Sequence, residues 1–247
     1  MGVLDGKTAL VSGGSRGIGR AIVRRLARDG ASVVFSYYEN EAAAAAVVKE
    51  VADDGGQAHA VRADQGSLDD LLALPGQAGQ LFGPLDILVI NAGIAPPEAF
   101  GDVTEESYDR VMAVNAKGPF FLIQRAGPKL RDGGRIICIS TLSTVLHTPD
   151  SPVYPASKAA LEQFATVAAM VFGGRGITVN CVSPGSTDTE LLRSANPGET
   201  FEDTASFIAL KRLGQPADIA SVVAFLAGPD SQWITGQNLR ATGGEWL

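Results

Sequence analysis

Two stretches of this sequence combine residue types and spacings that can do chemistry. The first is Tyr154-Pro155-Ala156-Ser157-Lys158. On a helix, positions i and i+4 share one face, so the phenol and the ammonium point the same way. A free tyrosine, with a pKa of about 10, is a poor base at neutral pH, and a nearby ammonium favours the phenolate. Such a tyrosine can give a proton to a carbonyl oxygen or take one from an alcohol. Pro155 suits the first turn of a helix, where no backbone donor is needed. Taken alone, Tyr-x-x-x-Lys also describes a surface pair.

The second stretch is Ser12-Gly13-Gly14-Ser15-Arg16-Gly17-Ile18-Gly19. It follows an apolar strand-like run and opens a helical pattern. Glycines allow a tight turn and close approach to a pyrophosphate. The helix N-terminus adds free N–H groups and a positive dipole end. Strand, glycine turn and helix in that order predict nucleotide binding, with Gly13, Ser15, Arg16, Gly17, Ile18 and Gly19 as contacts.

An acid at the end of the second strand would bond the ribose hydroxyls of NAD and repel the additional phosphate of NADP. That strand ends Val33-Val34-Phe35-Ser36-Tyr37, without an acid. Arg16 lies in the glycine turn and can bind phosphate in a bidentate way. The expected cofactor is therefore NADP(H) rather than NAD(H), with Ser36 and Tyr37 beside its phosphate and adenine. Arg16 also reads as a solvated loop charge. Glu39 stands about where an NAD-binding acid would, yet three residues past Ser36 it reads as the start of the next helix.

The elements that must position these groups alternate. Strand-like runs cover 7–12, 32–36, 57–63, 85–90, 135–140, 177–182 and 237–241. Helical patterns cover 17–30, 40–54, 67–82, 104–131, 152–173 and 216–228. Strands spaced by helices predict βαβ units, hence an α/β fold: one doubly wound parallel sheet with helices on both faces, in a single domain over 1–247. Such a sheet binds ligands past the carboxyl ends of its strands. The fourth strand ends there in Asn91-Ala92-Gly93, small residues that let the chain pass closely beneath a cofactor; Asn91 reads equally well as a brace of the sheet.

The glycine spacing and the Tyr-x-x-x-Lys pattern together resemble the short-chain dehydrogenase/reductase family, and the pattern of 3-oxoacyl-carrier-protein reductases and related ketoreductases in particular. The likeness runs to the chain's end, through Arg212-Leu213-Gly214-Gln215-Pro216, Ile234-Thr235-Gly236 and Gly243-Gly244. It implies a Rossmann-type fold and reversible hydride transfer between NADP(H) and a carbonyl or alcohol. By the same resemblance Asp64 bonds the adenine amino group, with Gln65 beside the ring; Asp64 also reads as a helix N-cap ahead of Ser67. Lys158 bonds the nicotinamide ribose and tunes Tyr154. Thr187 and Thr189, after Pro184 and Gly185, hold the nicotinamide carboxamide.

The family's substrate-orienting serine falls about a dozen residues before the tyrosine. Here that distance selects Thr141, with Ser140 one residue early and pointed the other way along an extended chain, and Ser143 as a rival. Asn115 resembles a fourth catalytic member that holds a water linking Lys158 to solvent, or else fills a helix kink. Ser12 stands where the family has Thr, and Ile90 where it has a second Asn. The stretch 191–210, with Phe201 and Phe207, resembles the family's substrate lid. The resemblance also implies a homo-tetramer or dimer, with the helix over 159–172 packed on its mate.

Composition sets the outer bounds. The 247 residues carry a net charge of −7 with both signs interspersed, which disfavours a nucleic-acid partner. No apolar run approaches the roughly 20 residues of a membrane helix, and no signal-peptide pattern opens the chain, so a cytoplasmic location is expected, while the small-molecule carbonyl or alcohol substrate is what the resemblance implies. Cys138 and Cys181 read as reduced core thiols. His59 and His147 lack partners at metal spacing, so no metal is expected, and His147 is a candidate for the pocket mouth. Other readings are a sugar or secondary-alcohol dehydrogenase using NAD(H), a cofactor-free halohydrin dehalogenase, and a non-catalytic NADPH-binding regulator. The intact glycine turn and lysine oppose the dehalogenase, and the intact Tyr–Lys pair opposes the regulator.

Overall fold

A computed structural model describes residues 2–146, 149–196, 198 and 200–246, and the backbone alone of Phe201. His147 and the Phe201 side chain therefore lie outside the described residues.

Seven strands form one parallel sheet. They are β1 (Thr8–Val11), β2 (Ser32–Tyr37), β3 (Gln57–Arg62), β4 (Ile87–Ile90), β5 (Arg135–Ile139), β6 (Thr178–Pro184) and β7 (Asn238–Ala241), in the order β3-β2-β1-β4-β5-β6-β7. Central strands read as continuous apolar runs because both faces are covered. Alternate side chains go to opposite faces. Ala9, Val11, Val33, Phe35, Ile87 and Val89 enter one apolar cluster, and Leu10, Val34, Leu88 and Ile90 the other. The edge strands β3 and β7 are half-exposed, as their mixed sequences require.

The first cluster is covered by α1 (Gly17–Arg28), α2 (Glu41–Asp53) and α9 (Pro216–Ala227). The second is covered by α3 (Leu68–Phe82), α5 (Gly118–Ala126) and α6 (Val153–Phe172). Strand order reverses between β1 and β4, and the crevice at their carboxyl ends is where such sheets take ligands. The expected fold class, a doubly wound parallel sheet with helices on both faces, is the one observed.

Most elements fall within a few residues of the expected bounds, and two departures bear on the site. The helical pattern over 104–131 is interrupted: α4 (Glu105–Met112) passes into a π-helical turn (Ala113–Lys117) before α5, and a 3₁₀ turn (Gly127–Lys129) follows. A one-residue insertion of this kind re-aims a side chain without breaking the apolar period, so periodicity does not reveal it. Glu39 lies before α2 rather than in it, because Asn40 caps that helix by accepting the Ala43 N–H. The stretch expected to be a substrate lid contains α7 (Glu190–Ala195) and α8 (Phe201–Ser206).

Candidate active site

The glycine turn is held from below. The Ser12 hydroxyl accepts the backbone N–H groups of Asn91 and Ala92, each at 3.1 Å. The Asn91 amide donates to the carbonyls of Ser12 at 3.0 Å and Gly13 at 2.9 Å. Asn91 thus braces the turn, and Ser12 supplies the hydroxyl that this bracing needs. Gly13 has φ +68°, and a Cβ there would stand 2.9 Å from Ala92. Only glycine meets both demands. Above the turn, α1 starts at Gly17 with no side-chain cap, so the N–H groups of its first turn, over Gly17, Ile18 and Gly19, face the crevice end.

Ser36 is buried, and its hydroxyl accepts the Gly13 N–H at 3.1 Å. The side chain expected beside a phosphate instead supports the turn, because an inward β2 position leaves it no path to solvent. Tyr37 is only partly buried. Arg16 is exposed and pairs with Glu190 of α7 at 3.1 Å. Asp64 does not cap α3; Ser67 does. The Asp64 carboxylate instead takes a two-pronged ion pair from Arg110, at 3.1 and 2.9 Å, plus the Gly66 N–H at 2.8 Å. Burial pushes its pKa up, and those bonds outweigh burial and hold it below the usual value. Gln65 is buried, and both polar atoms of its amide lack a partner among the described residues.

Tyr154 and Lys158 lie one turn apart on α6. The Lys158 ammonium is buried and donates to the Ile139 carbonyl at 2.8 Å. Burial lowers its pKa to about 8, against the opposing pull of Cys138, Cys181 and Glu162. Burial raises the pKa of the Tyr154 hydroxyl and outweighs the neighbouring Thr141 hydroxyl, which favours the phenolate. This corrects the sequence expectation for the protein alone: desolvation, and not the lysine charge, dominates at Tyr154.

Thr141 and Ser140 face opposite ways at the end of β5. Ser140 donates to Glu162 Oε1 at 2.5 Å. Thr141 Oγ1 meets Tyr154, and also the Ser143 N–H and hydroxyl, each at 3.2 Å. Asn115 projects from the π turn, fully buried. Its Oδ1 accepts the Ile94 N–H at 2.9 Å, and its Nδ2 donates to the Ile94 carbonyl at 2.8 Å and to Ser157 at 3.1 Å. Both amide N–H groups are thereby used in tying the chain after β4 to α6. A Cβ on Gly93 would fall 3.1 Å from Lys158 Nζ and 3.2 Å from Asn115 Oδ1, so glycine makes room for both.

From the last residue of β6, Pro184, the chain turns through Gly185, Thr187 and Thr189 toward Gly17, whose Cβ would stand 3.4 Å from the Thr189 methyl. Thr187 donates to the Gly185 carbonyl at 2.9 Å. Thr189 donates to the Thr187 carbonyl at 3.3 Å and caps α7 through the Leu192 N–H. Three site neighbours escaped the sequence reading. Glu162 gathers Ser140 and Thr144, and its i+4 spacing from Lys158 was the available signal. Arg110 and Ser157 gave none, because their partners are 46 and 42 residues away. Among the described residues no cluster of metal-ligating side chains occurs, and no helix is long and apolar enough to cross a membrane.

The family model Enoyl-(Acyl carrier protein) reductase matches residues 13–245. The hydroxynaphthalene reductase-like protein Arp2 of Metarhizium majus (strain ARSEF 297) is 41% identical over 254 residues, covering 98% of this chain and 95% of the relative. Versicolorin reductase stcU of Emericella nidulans is 41% identical over 253 residues, covering 98% and 96%. The crystal structure of the angucycline C-6 ketoreductase LanV with bound NADP superposes with a TM-score of 0.93 at 45% identity, covering 99% of this chain and 97% of that one. With a Tyr–Lys pair on α6 and a glycine turn opening α1, and with relatives matched over nearly their whole length, this chain belongs to the short-chain dehydrogenase/reductase family and is an oxidoreductase.

Proposed function

We propose that the enzyme is an NADPH-dependent ketoreductase whose substrate is a ketone on a multi-ring aromatic skeleton. The observation that carries the reading is the convergence of Thr141, Tyr154 and Lys158 at the carboxyl ends of β5 and β6. The aromatic substrate class rests on the names of the relatives, a hydroxynaphthalene reductase-like protein, a versicolorin reductase and an angucycline ketoreductase. A 3-oxoacyl thioester is the second reading, favoured by the sequence pattern around Tyr154.

The residues fit a dinucleotide. The buried Gln65 amide lacks a partner that an adenine edge can supply. The uncapped first turn of α1 suits a pyrophosphate. Gly13, Ser15, Gly17, Ile18, Gly19, Asn91, Ala92 and Gly93 would line its path, and Asp64 would meet the adenine amino group. Tyr37 and Arg16 would border the 2′-phosphate, with Arg16 exchanging Glu190 for it. Lys158 would bond the nicotinamide ribose, and Pro184, Gly185, Thr187 and Thr189 would hold the carboxamide. A bound reduced nicotinamide supplies hydride to the substrate carbon.

The chain's own part is proton and charge management. Thr141 holds the substrate oxygen as negative charge develops on it. Tyr154 delivers the proton to that oxygen, and a raised pKa keeps it protonated until the cofactor site fills. Lys158, poised near 8, then restores the phenol proton. Asn115 keeps Gly93–Ile94 and α6 in register, and its remaining acceptor capacity at Oδ1 can hold the relay water. A cavity of about 360 Å³, lined by Phe100, Leu146, Pro149, Pro152 and Ala156, adjoins the site at Ser143 and would take the far rings.

The exposed apolar residues Val167, Met170 and Val171 on α6 support a homo-dimer or tetramer built on that helix. Cys138 and Cys181 stand opposite one another in register as free thiols, which suits a reducing compartment. The test is loss of reduced-nicotinamide absorbance with NADPH and NADH side by side. Aromatic polyketide-type ketones, 3-oxoacyl thioesters and sugar-derived ketones form the substrate panel. Turnover of ring ketones with NADPH supports the reading; turnover confined to thioesters moves it to the second class.

A further inference from the structure

The last residues of the chain place a buried carboxylate against the turn after β6. Glu245 is 8% exposed. Its Oε2 accepts the Ser186 backbone N–H at 2.6 Å, and its Oε1 accepts the Ser186 hydroxyl at 2.7 Å. A carboxylate is desolvated at this depth only when its oxygens receive strong donors, and bonds to an ionised acceptor are the strong ones. The contact is close-fitting. A Cβ on Gly185 would fall 2.4 Å from Glu245 Oε2 and 3.0 Å from Thr242 Cα. Any other residue at 185 would displace the carboxylate.

Gly243, Gly244 and Glu245 together hold residues 208–210, the far end of the lid. Leu210 N–H donates to the Gly243 carbonyl at 3.1 Å, and Ala209 N–H to the Gly244 carbonyl at 3.3 Å. Ile208 and Glu245 form an isolated antiparallel bridge. On its other flank the turn is tied to residue 214: Gly214 N–H donates to the Ser186 carbonyl and Asp188 N–H to the Gly214 carbonyl, each at 2.9 Å. Ser186 is therefore fixed from two sides, with Glu245 as the only charged group among its hydrogen-bond partners in the described residues.

We propose that Glu245 is a positioning residue: its carboxylate sets the 184–189 turn at the height the nicotinamide end of the cofactor requires, and it ties that turn to the end of the lid. The inference rests on the reading of this turn as the nicotinamide holder. Glu245 touches neither substrate nor cofactor; it acts through Ser186. Its loss is therefore felt by the nicotinamide half of the cofactor and not by the adenosine half.

The test compares two ligands on the full-length enzyme. NADPH contains the nicotinamide; adenosine 2′,5′-bisphosphate lacks it. Affinities are measured for wild type, Glu245→Ala and Glu245→Gln, with melting temperatures alongside. Glu245→Ala is expected to weaken NADPH about tenfold, the size of one lost charge-assisted bond, while the bisphosphate changes less than about twofold. Glu245→Gln, which keeps the shape, is expected to lie between, and it decides the matter if the alanine variant does not fold. Equal weakening of both ligands, or of neither, overturns the proposal. Amide hydrogen exchange of residues 184–189 in wild type separates the two failures. Protection by NADPH but not by the bisphosphate upholds the turn as nicotinamide holder even where Glu245 proves dispensable. No protection by NADPH removes that reading and the proposal with it.

Discussion

The Thr141 hydroxyl, two residues past the end of β5, stands beside the Tyr154 hydroxyl in the first turn of α6. That contact places a second donor beside the proton-bearing phenol. Thr141→Val removes the donor and keeps the shape. A fall in kcat of about a hundredfold is expected, in line with losing one oxyanion donor. Thr141→Ser should stay within about tenfold of wild type on the same scale. Ser140→Ala, whose hydroxyl faces Glu162, should alter the melting temperature more than kcat. Steady-state kinetics on the three variants check this, and a larger kcat loss in Ser140→Ala than in Thr141→Val contradicts the assignment.

Lys158 gives a pH prediction with a defined sign. Burial lowers its pKa in the fold from 10.5 to about 8. Below about pH 8 the lysine is charged in both folded and unfolded chains, and the desolvation penalty is felt in full. Between about 8 and 10.5 the unfolded chain holds the extra proton, so this group's contribution to stability rises with pH. Tyr154, raised by burial, and Cys181, raised by the neighbouring Cys138 thiol and by burial, contribute with the opposite sign at the alkaline end in either protein. Urea midpoints of wild type and Lys158→Met at pH 7.5 and pH 9.5 isolate the lysine. The wild type should gain on the variant as pH rises, and parallel midpoints would show a lysine with an ordinary pKa.

Asn115 spends three hydrogen bonds on Ile94 and Ser157 with no exposed surface. Asn115→Ala leaves the Ile94 amide and carbonyl without partners, and a loss of about 3 kcal/mol of stability is expected. Chemical denaturation measures it. A variant as stable as wild type contradicts the bracing role.

The site was unevenly legible from the chain. Strand alternation sorts Ala9 from Leu10 and Ile87 from Leu88 because a period of two leaves only two faces. Tyr154 and Lys158 share a helix face because four residues make about one helical turn. The π turn under Asn115 escaped because one extra residue keeps the apolar pattern almost intact. The Arg110–Asp64 pair and the Glu245–Ser186 clamp join residues 46 and 59 positions apart, and no local spacing encodes them. The pKa of Tyr154 needed the burial around it, which only the packed chain supplies.

Arg16 offers a cofactor test. Its guanidinium is exposed and held by one surface ion pair to Glu190, a weak contact that a phosphate can displace. Arg16→Ala should raise KM for NADPH about tenfold and leave KM for NADH unchanged. Glu190→Gln, which frees the guanidinium, should lower KM for NADPH. Parallel kinetics with both cofactors decide it, and equal effects on NADPH and NADH contradict the role.

The most direct measurement is Tyr154→Phe, assayed for cofactor binding and turnover in the same preparation. NADPH affinity, followed by the fluorescence of the bound cofactor, should remain within about threefold, while kcat on the best ketone falls about a thousandfold, the scale of a lost general acid. A phenylalanine variant that binds NADPH and still turns over within about tenfold of wild type would show that the proton comes from elsewhere.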